Sequence, residues 1–225
     1  MIDFNKLLYL PLDIPPPPDV TYYFDIADNK DFLVDNYRNC RHLPIMTVNR
    51  KTGNYEYTSV GNGIPELVNW LETYIFSWAD RGDVVIITTQ PNELNPMHID
   101  CSPEKFAKTI QHKFRYVFRG RIDTLHFEHS DGIVTPDHIN LPFVMSGKWP
   151  HYMLNGNNIK YTLALGAPWD PTLSDVRYTQ LLQRSYNLYK NYYKSFDSLL
   201  LKDGWINLFE KSRGYEDQIK LYLSN

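Results

Sequence analysis

Little in this sequence points to a secreted, membrane-bound or nucleic-acid-binding protein. Two cysteines in 225 residues, Cys40 and Cys101, cannot build a disulfide framework, so a reducing, cytoplasmic setting is expected. No apolar run approaches the about 18 residues needed to span a bilayer, and the first residues lack the charged-then-apolar pattern of a leader. Basic residues are not in excess: 23 Lys and Arg stand against 26 Asp and Glu, a net charge of −3. That removes the electrostatic case for a nucleic-acid partner. Internal repeats and charge blocks are absent, and glycine is sparse at 11 residues against 17 tyrosines.

What is present describes a folded chain. Hydrophobic residues make up 43% and aromatics 15%, enough to bury a sizeable core. Residues 1–60 read as mostly irregular, with a polyproline strap at Pro15–Pro18, short strands over 20–24 and 43–48, and a hairpin turn at 51–54. From Pro65, Leu67, Val68, Leu71, Tyr74, Ile75 and Trp78 recur at helical spacing; this predicts a helix ending at Arg81–Gly82. A β-branched run over 83–89 follows, then a short helix or turn at Ser102–Phe106. A hairpin is expected across Gly120–Arg121, joining 113–119 to 122–128, and further short strands over 132–136, 141–146, 149–154 and 159–165. About eight strands from Val84 onward, separated by turn residues, predict a mainly β fold of jelly-roll type. Residues 172–201 contain neither proline nor glycine and repeat apolar residues at helical spacing. This C-terminal helix either packs on the barrel or offers a homodimer surface.

The segment Asn95-Pro96-Met97-His98-Ile99-Asp100 carries the chemistry. In an extended chain residues i and i+2 share a face, so His98 and Asp100 project together while Ile99 turns into apolar surroundings. An imidazole and a carboxylate so presented are two of the three ligands of a 2-His-1-carboxylate facial triad, the arrangement that holds non-haem Fe(II) with positions left open. His151 supplies a third ligand 53 residues later, before the turn at 155–158 and the strand-like run 159–165.

This order resembles the Fe(II)/2-oxoglutarate-dependent oxygenases, most closely their aspartyl/asparaginyl β-hydroxylase-like branch, over roughly residues 84–166. The resemblance implies a double-stranded β-helix of the cupin-like type, a barrel of about 84–166 in one oxygenase-like domain of 1–225. It also implies Fe(II) on His98, Asp100 and His151 as the catalytic set, 2-oxoglutarate as co-substrate, and O2 as oxidant. The expected reaction is hydroxylation of a small molecule or of an amino-acid or peptide side chain, with decarboxylation of the keto acid to succinate. Asp100 favours hydroxylation over halogenation, because halogenating relatives replace that carboxylate.

The distal carboxylate of 2-oxoglutarate needs a cation, since an uncompensated buried charge is prohibitive. The family places an Arg nine to eleven residues beyond the distal His; here that window holds Lys160 and no Arg. Thr162 shares a face with Lys160 and adds a hydroxyl. Arg115, Arg119 and Arg121, at alternate positions of one strand, could stand in for the missing Arg. Among the remaining histidines, His126 with Glu128 forms an alternative metal pair, His138 is an alternative distal ligand, and His42 and His112 read as structural. Cys101 falls next to Asp100. Two rival readings remain open on the sequence: a non-catalytic cupin-like binding or structural module, and a three-histidine metal isomerase or thiol dioxygenase, against which Asp100 argues.

Overall fold

Every residue of Val84–Thr89 is β-branched, and side chains that are stiff at χ1 suit an extended pleat. This stretch forms β5, in the interior of the larger of two sheets. The computed structural model describes residues 2–27, 31–35, 40–100, 112–129, 132–165 and 176–195. Before β5 lie β1 (Leu7–Pro11), β2 (Leu33–Asp35), β3 (Cys40–Val48) and β4 (Tyr55–Tyr57). After it come β6 (Leu94–His98), β7 (His112–Arg119), β8 (Leu125–His129) and β9 (Gly132–Val134). β10 (Phe143–Ser146), β11 (His151–Leu154), β12 (Lys160–Leu165) and β13 (Lys194–Ser195) complete the set.

The larger sheet runs β13-β1-β10-β7-β12-β5-β3-β2, with β4 added on β3, and the smaller runs β6-β11-β8-β9. All pairings are antiparallel. From β5 to β12 the chain winds back and forth between the sheets, so that β5, β7, β10 and β12 belong to one and β6, β8, β9 and β11 to the other. Four neighbours facing four neighbours in this order make a double-stranded β-helix, or jelly roll. The strand spacing from Val84 led to the same architecture.

The connections differ from expectation. The hairpin expected across Gly120–Arg121 does not form: that link, like the one from β11 to β12 through the turn at 155–158, is a corner that carries the chain from one sheet to the other. At the first corner Gly120 has φ +102°, and a Cβ there would stand 2.9 Å from Cγ of Lys160. Both the dihedral and the close approach call for glycine. The first 60 residues are also more ordered than their composition suggests, since β1 and β3 are integral to the larger sheet. Residues 21–26 form a helix, not a strand. Burial of Phe24 edge-on against Phe118 and Tyr161, both at 5.4 Å, overrides the β-propensity of its neighbours.

Two apolar cores result. One lies between the sheets and contains Leu8, Val117, Phe127, Met145 and Trp149. The other covers the outer face of the larger sheet, where the helix Pro65–Trp70 brings Leu67 and Trp70. That helix widens into a π-type segment, Leu71–Ile75, closed by Phe76 N–H to Leu71 C=O at 2.9 Å, and so ends before Arg81. The helix Val176–Tyr189 packs Tyr178, Leu181 and Leu182 into the same outer core, so its apolar face is used on its own sheet. The rest of the expected C-terminal helix, the turn at 102–106 and Cys101 lie outside the described residues. The polyproline stretch straps the surface: Trp70 Nε1 donates to Pro15 C=O at 3.1 Å, and Arg184 pairs with Asp13. No described helix is long and apolar enough to cross a membrane.

Candidate metal centre

Strand β6 ends at His98, and β11 begins at His151 directly opposite it in the antiparallel register. Cross-strand partners share a face, so the pairing alone brings both imidazoles to the buried end of the small sheet; their ring centroids are 4.3 Å apart. Asp100 lies just past the strand, where its N–H donates to Gly147 C=O at 2.8 Å. Its Oδ1 is 3.6 Å from His98 Nε2 and its Oδ2 3.8 Å from His151 Nε2. One ligand atom from each of the three lies within 4.8 Å of the other two, and no other such group occurs among the described residues. Ile99, between the two ligands of the motif, is fully buried, as its alternation requires.

The imidazoles are held in one tautomer. His98 Nδ1 lies 2.8 Å from Pro96 C=O, and His151 Nδ1 lies 2.8 Å from Trp149 C=O. A carbonyl can only accept, so each Nδ1 carries the hydrogen and each Nε2 keeps its lone pair for an ion. Metal-binding histidines are oriented by this kind of outer hydrogen bond. Both rings are 4% exposed, and Phe127 flanks His151 at 5.7 Å between centroids. Donors about 2.1 Å from an ion on one octahedral face stand about 3 Å apart. The observed spacing needs only a small contraction to reach that, and two imidazoles with one carboxylate are a suitable donor set for Fe(II).

Farther along β11, Met153 faces Asn95 of β6. Met153 Sδ and Thr124 Oγ1 accept from Lys160 Nζ at 3.1 and 2.7 Å. Lys160 is 3% exposed, and no described carboxylate forms an ion pair with it. Burial pushes its ammonium down to about 7, opposed by the more distant charge of Asp123. Asn95 Oδ1 is likewise buried without a hydrogen-bond partner. A buried ammonium and an orphaned amide, two β-residues or roughly 7 Å along the strand from the histidines, suit the far end of a short dicarboxylate. Thr162 is on the same face of β12 as Lys160, and opposite Ile87 and Val117.

The arginines part company. Arg115 faces the metal ligands, with Nη2 3.1 Å from Asp100 Oδ2. Arg119 does not reach the cavity: a bulge pairs Thr162 with Val117 but Tyr161 with Arg119, which turns Arg119 to the outer face. There it grips Asp25 with two hydrogen bonds at 2.9 and 2.7 Å. Arg121 pairs with Asp123 at the exposed corner.

The other histidines have separate tasks. His126 bonds Thr135 Oγ1 at 2.9 Å and stacks on Tyr152 at 4.8 Å, and it belongs to no cluster of three possible metal ligands among the described residues. His138 takes the N–H of Ile122 at 3.4 Å. His42 approaches Cys40 Sγ at 3.4 Å. His112 is buried between Tyr178 Oη at 2.6 Å and Phe4 C=O at 3.1 Å. Asn95, Thr124 and Met153 were not evident in the sequence. Simple alternation puts Asn95 and His98 on opposite faces of the strand, and the irregular register between His151 and Met153 brings both inward.

The fold is a double-stranded β-helix, and the three side chains it brings together are a candidate site for a single metal ion. No family model and no curated protein matches the sequence. Among solved structures, the chain is similar to a prolyl-4-hydroxylase from Pseudomonas putida, at 10% identity and TM-score 0.44, over 76% of this chain and 95% of that one. A prolyl hydroxylase from Trichoplax adhaerens, in complex with a hypoxia inducible factor oxygen degradation domain peptide fragment, matches at 10% identity and TM-score 0.40, over 76% and 79%. A full-length Neurospora crassa protein in complex with alpha-KG matches at 12% identity and TM-score 0.42, over 75% and 74%.

Proposed function

We propose that this protein is an Fe(II)- and 2-oxoglutarate-dependent hydroxylase. The observation that carries the reading is the convergence of His98 Nε2, His151 Nε2 and an Asp100 oxygen within 4.8 Å, with both Nδ1 hydrogens already committed to backbone carbonyls. In this class the iron and keto acid together supply an oxidative decarboxylation, in which 2-oxoglutarate and O2 become succinate and CO2 as a substrate C–H becomes C–OH.

The chain's own share is to bind and orient. Nε2 of His98, Nε2 of His151 and a carboxylate oxygen of Asp100 would hold the ion. Lys160 receives the distal carboxylate, and Thr124, already bonded to its Nζ, keeps the ammonium aimed; Thr162 and Asn95 extend the same polar floor. Trp149 and Phe127, both buried between the sheets, keep water from the reacting centre. Lys160 makes a point-charge contact where an Arg would make a fork. A carboxylate at position 100 fills the place a halide would need, which favours hydroxylation. The resemblance to the aspartyl/asparaginyl β-hydroxylase-like branch supports an amino acid or peptide side chain as substrate.

The test is incubation of the purified protein with Fe(II), ascorbate and 2-oxoglutarate, following succinate. One iron per chain and substrate-free succinate formation are expected. Absence of both metal uptake and turnover would remove the assignment.

A further inference from the structure

We infer that the inner face of the larger sheet carries an aliphatic ledge, made by Val85, Ile87, Pro44 and Leu33, that seats an uncharged aliphatic side chain of the substrate. The inference rests on the hydroxylase reading above and names the substrate class for that same site.

The smaller sheet has four strands and the larger nine, so one cannot cover the whole inner face of the other. Coverage reaches β12, where Lys160 meets Met153 of β11. Two rows of side chains run on from there. In the first, Arg115 of β7 faces Ala164, Ala164 faces Val85, and Val85 faces Pro44 of β3. In the second, Val117 faces Thr162, Thr162 faces Ile87, Ile87 faces His42, and His42 faces Leu33 of β2. Cross-strand partners share a face, and Val117 belongs to the core between the sheets, so both rows point inward.

Burial alternates along β5 and locates the ledge. Val84 and Ile86, on the outer face, are fully buried. Val85 and Ile87 are half-buried and belong to neither apolar core among the described residues. Pro44 is half-buried between the fully buried Leu43 and Ile45, and Leu33 is 61% exposed. Aliphatic side chains left accessible on an interior strand mark a place for another molecule. The ledge is continuous with the candidate metal centre. Arg115, at the inner end of the first row, stands 3.1 Å from Asp100 Oδ2, and Val85 is two strand spacings, about 10 Å, from Arg115.

Neither row contains a carboxylate or an amide side chain. An aliphatic group laid on the ledge leaves water favourably. A charged or amide group there would give up its hydration with no partner in return. The geometry therefore fits a side chain of the leucine, valine, isoleucine or proline kind, in preference to aspartate or asparagine.

Saturation-transfer NMR on the full chain, loaded with Zn(II) and 2-oxoglutarate, tests the assignment. The probes are the amides of N-acetyl-leucine, N-acetyl-proline, N-acetyl-asparagine and N-acetyl-aspartate. Leucine and proline probes are expected to bind at least about tenfold more tightly than the other two. Val85→Asp should weaken them by at least about tenfold. Val85→Thr and Ile87→Thr should weaken them less; Val85→Thr keeps the shape of the side chain should Val85→Asp fail to fold, which circular dichroism reports. Three results would overturn the ledge: no probe bound by wild type, acidic or amide probes bound as tightly as aliphatic ones, or affinities in both threonine variants equal to wild type. Succinate formation by the same wild-type preparation would then leave the hydroxylase reading standing. Aliphatic binding that depends on Val85, in a protein with neither iron uptake nor succinate formation, would overturn that reading and leave the ledge.

Discussion

His98 and His151 oppose each other at one register position of the β6–β11 pair, their ring centroids 4.3 Å apart and their Nδ1 hydrogens each given to the carbonyl two residues earlier. Two residues distant in the chain thus become one bidentate unit through strand pairing alone. Replacing either with Ala should take bound iron from one per chain to near zero and reduce succinate formation by at least about a hundredfold. The β6–β11 pairing should survive, because it is made by the backbone, which Ala keeps. Metal analysis and a turnover assay on the same preparations check this.

Lys160→Met should separate the two halves of the site. Iron binding persists, because Lys160 Nζ bonds Thr124 and Met153 and no metal ligand. Affinity for 2-oxoglutarate falls by at least about tenfold, as expected when a buried anion loses its cation. Isothermal titration with the metal-loaded protein and 2-oxoglutarate measures the difference. Iron lost together with the keto acid would contradict the separation.

The same lysine sets a pH dependence. With its folded value at about 7 against 10.5 for the free side chain, the unfolded chain holds more protons across that interval, so stability of the ligand-free protein rises as pH climbs from about 7 to 10.5. Affinity for the dianionic keto acid runs the other way, falling above about pH 7 as Lys160 must first take up a proton. Denaturant titrations and binding isotherms across roughly pH 6–9 test both trends, and Lys160→Met should flatten them.

Gly120 reports on the same corner. Alanine there would have to adopt φ +102° and place its Cβ 2.9 Å from Lys160 Cγ, so Lys160 must move. A loss of about 1–3 kcal/mol is expected, with weakened keto-acid binding and unchanged metal affinity. Thermal unfolding paired with the two binding assays decides it.

His112 governs acid sensitivity. Phe4 C=O can only accept, so Nε2 carries the hydrogen and Nδ1 accepts from Tyr178 Oη at 2.6 Å. Burial pushes the imidazole down to about 3, with the Phe4 bond opposing and Lys148 adding. The unfolded chain therefore binds the extra proton between about 3 and 6.5, and stability present above 6.5 is lost as pH falls through that interval. Tyr178→Phe, which orphans Nδ1, should cost about 1–3 kcal/mol at neutral pH. Urea unfolding at about pH 4.5 and about pH 7.5 for wild type and His112→Gln measures the contribution.

Much of this was legible in the chain because it depends on local periodicity. The i, i+2 rule places His98 and Asp100 on one side and buries Ile99, and the β-branched run at 84–89 and the turn-separated strands after it announce a jelly roll. Lys160 stands out as the cation in its window. Other features were set by contacts between distant segments. Whether Gly120 turns a hairpin or a corner depends on which strand partners β7, and that partner is β12. One bulge between Tyr161 and Thr162 sends Arg119 outward to Asp25 and leaves Arg115 facing Asp100. Residues 21–26 became helical because Phe24 had a pocket to fill between Phe118 and Tyr161. Sequence alone determined which side chains could serve as ligands, since face alternation is a property of a single strand. Register and bulges arise only when strands pair, so tertiary structure decided which of those side chains meet.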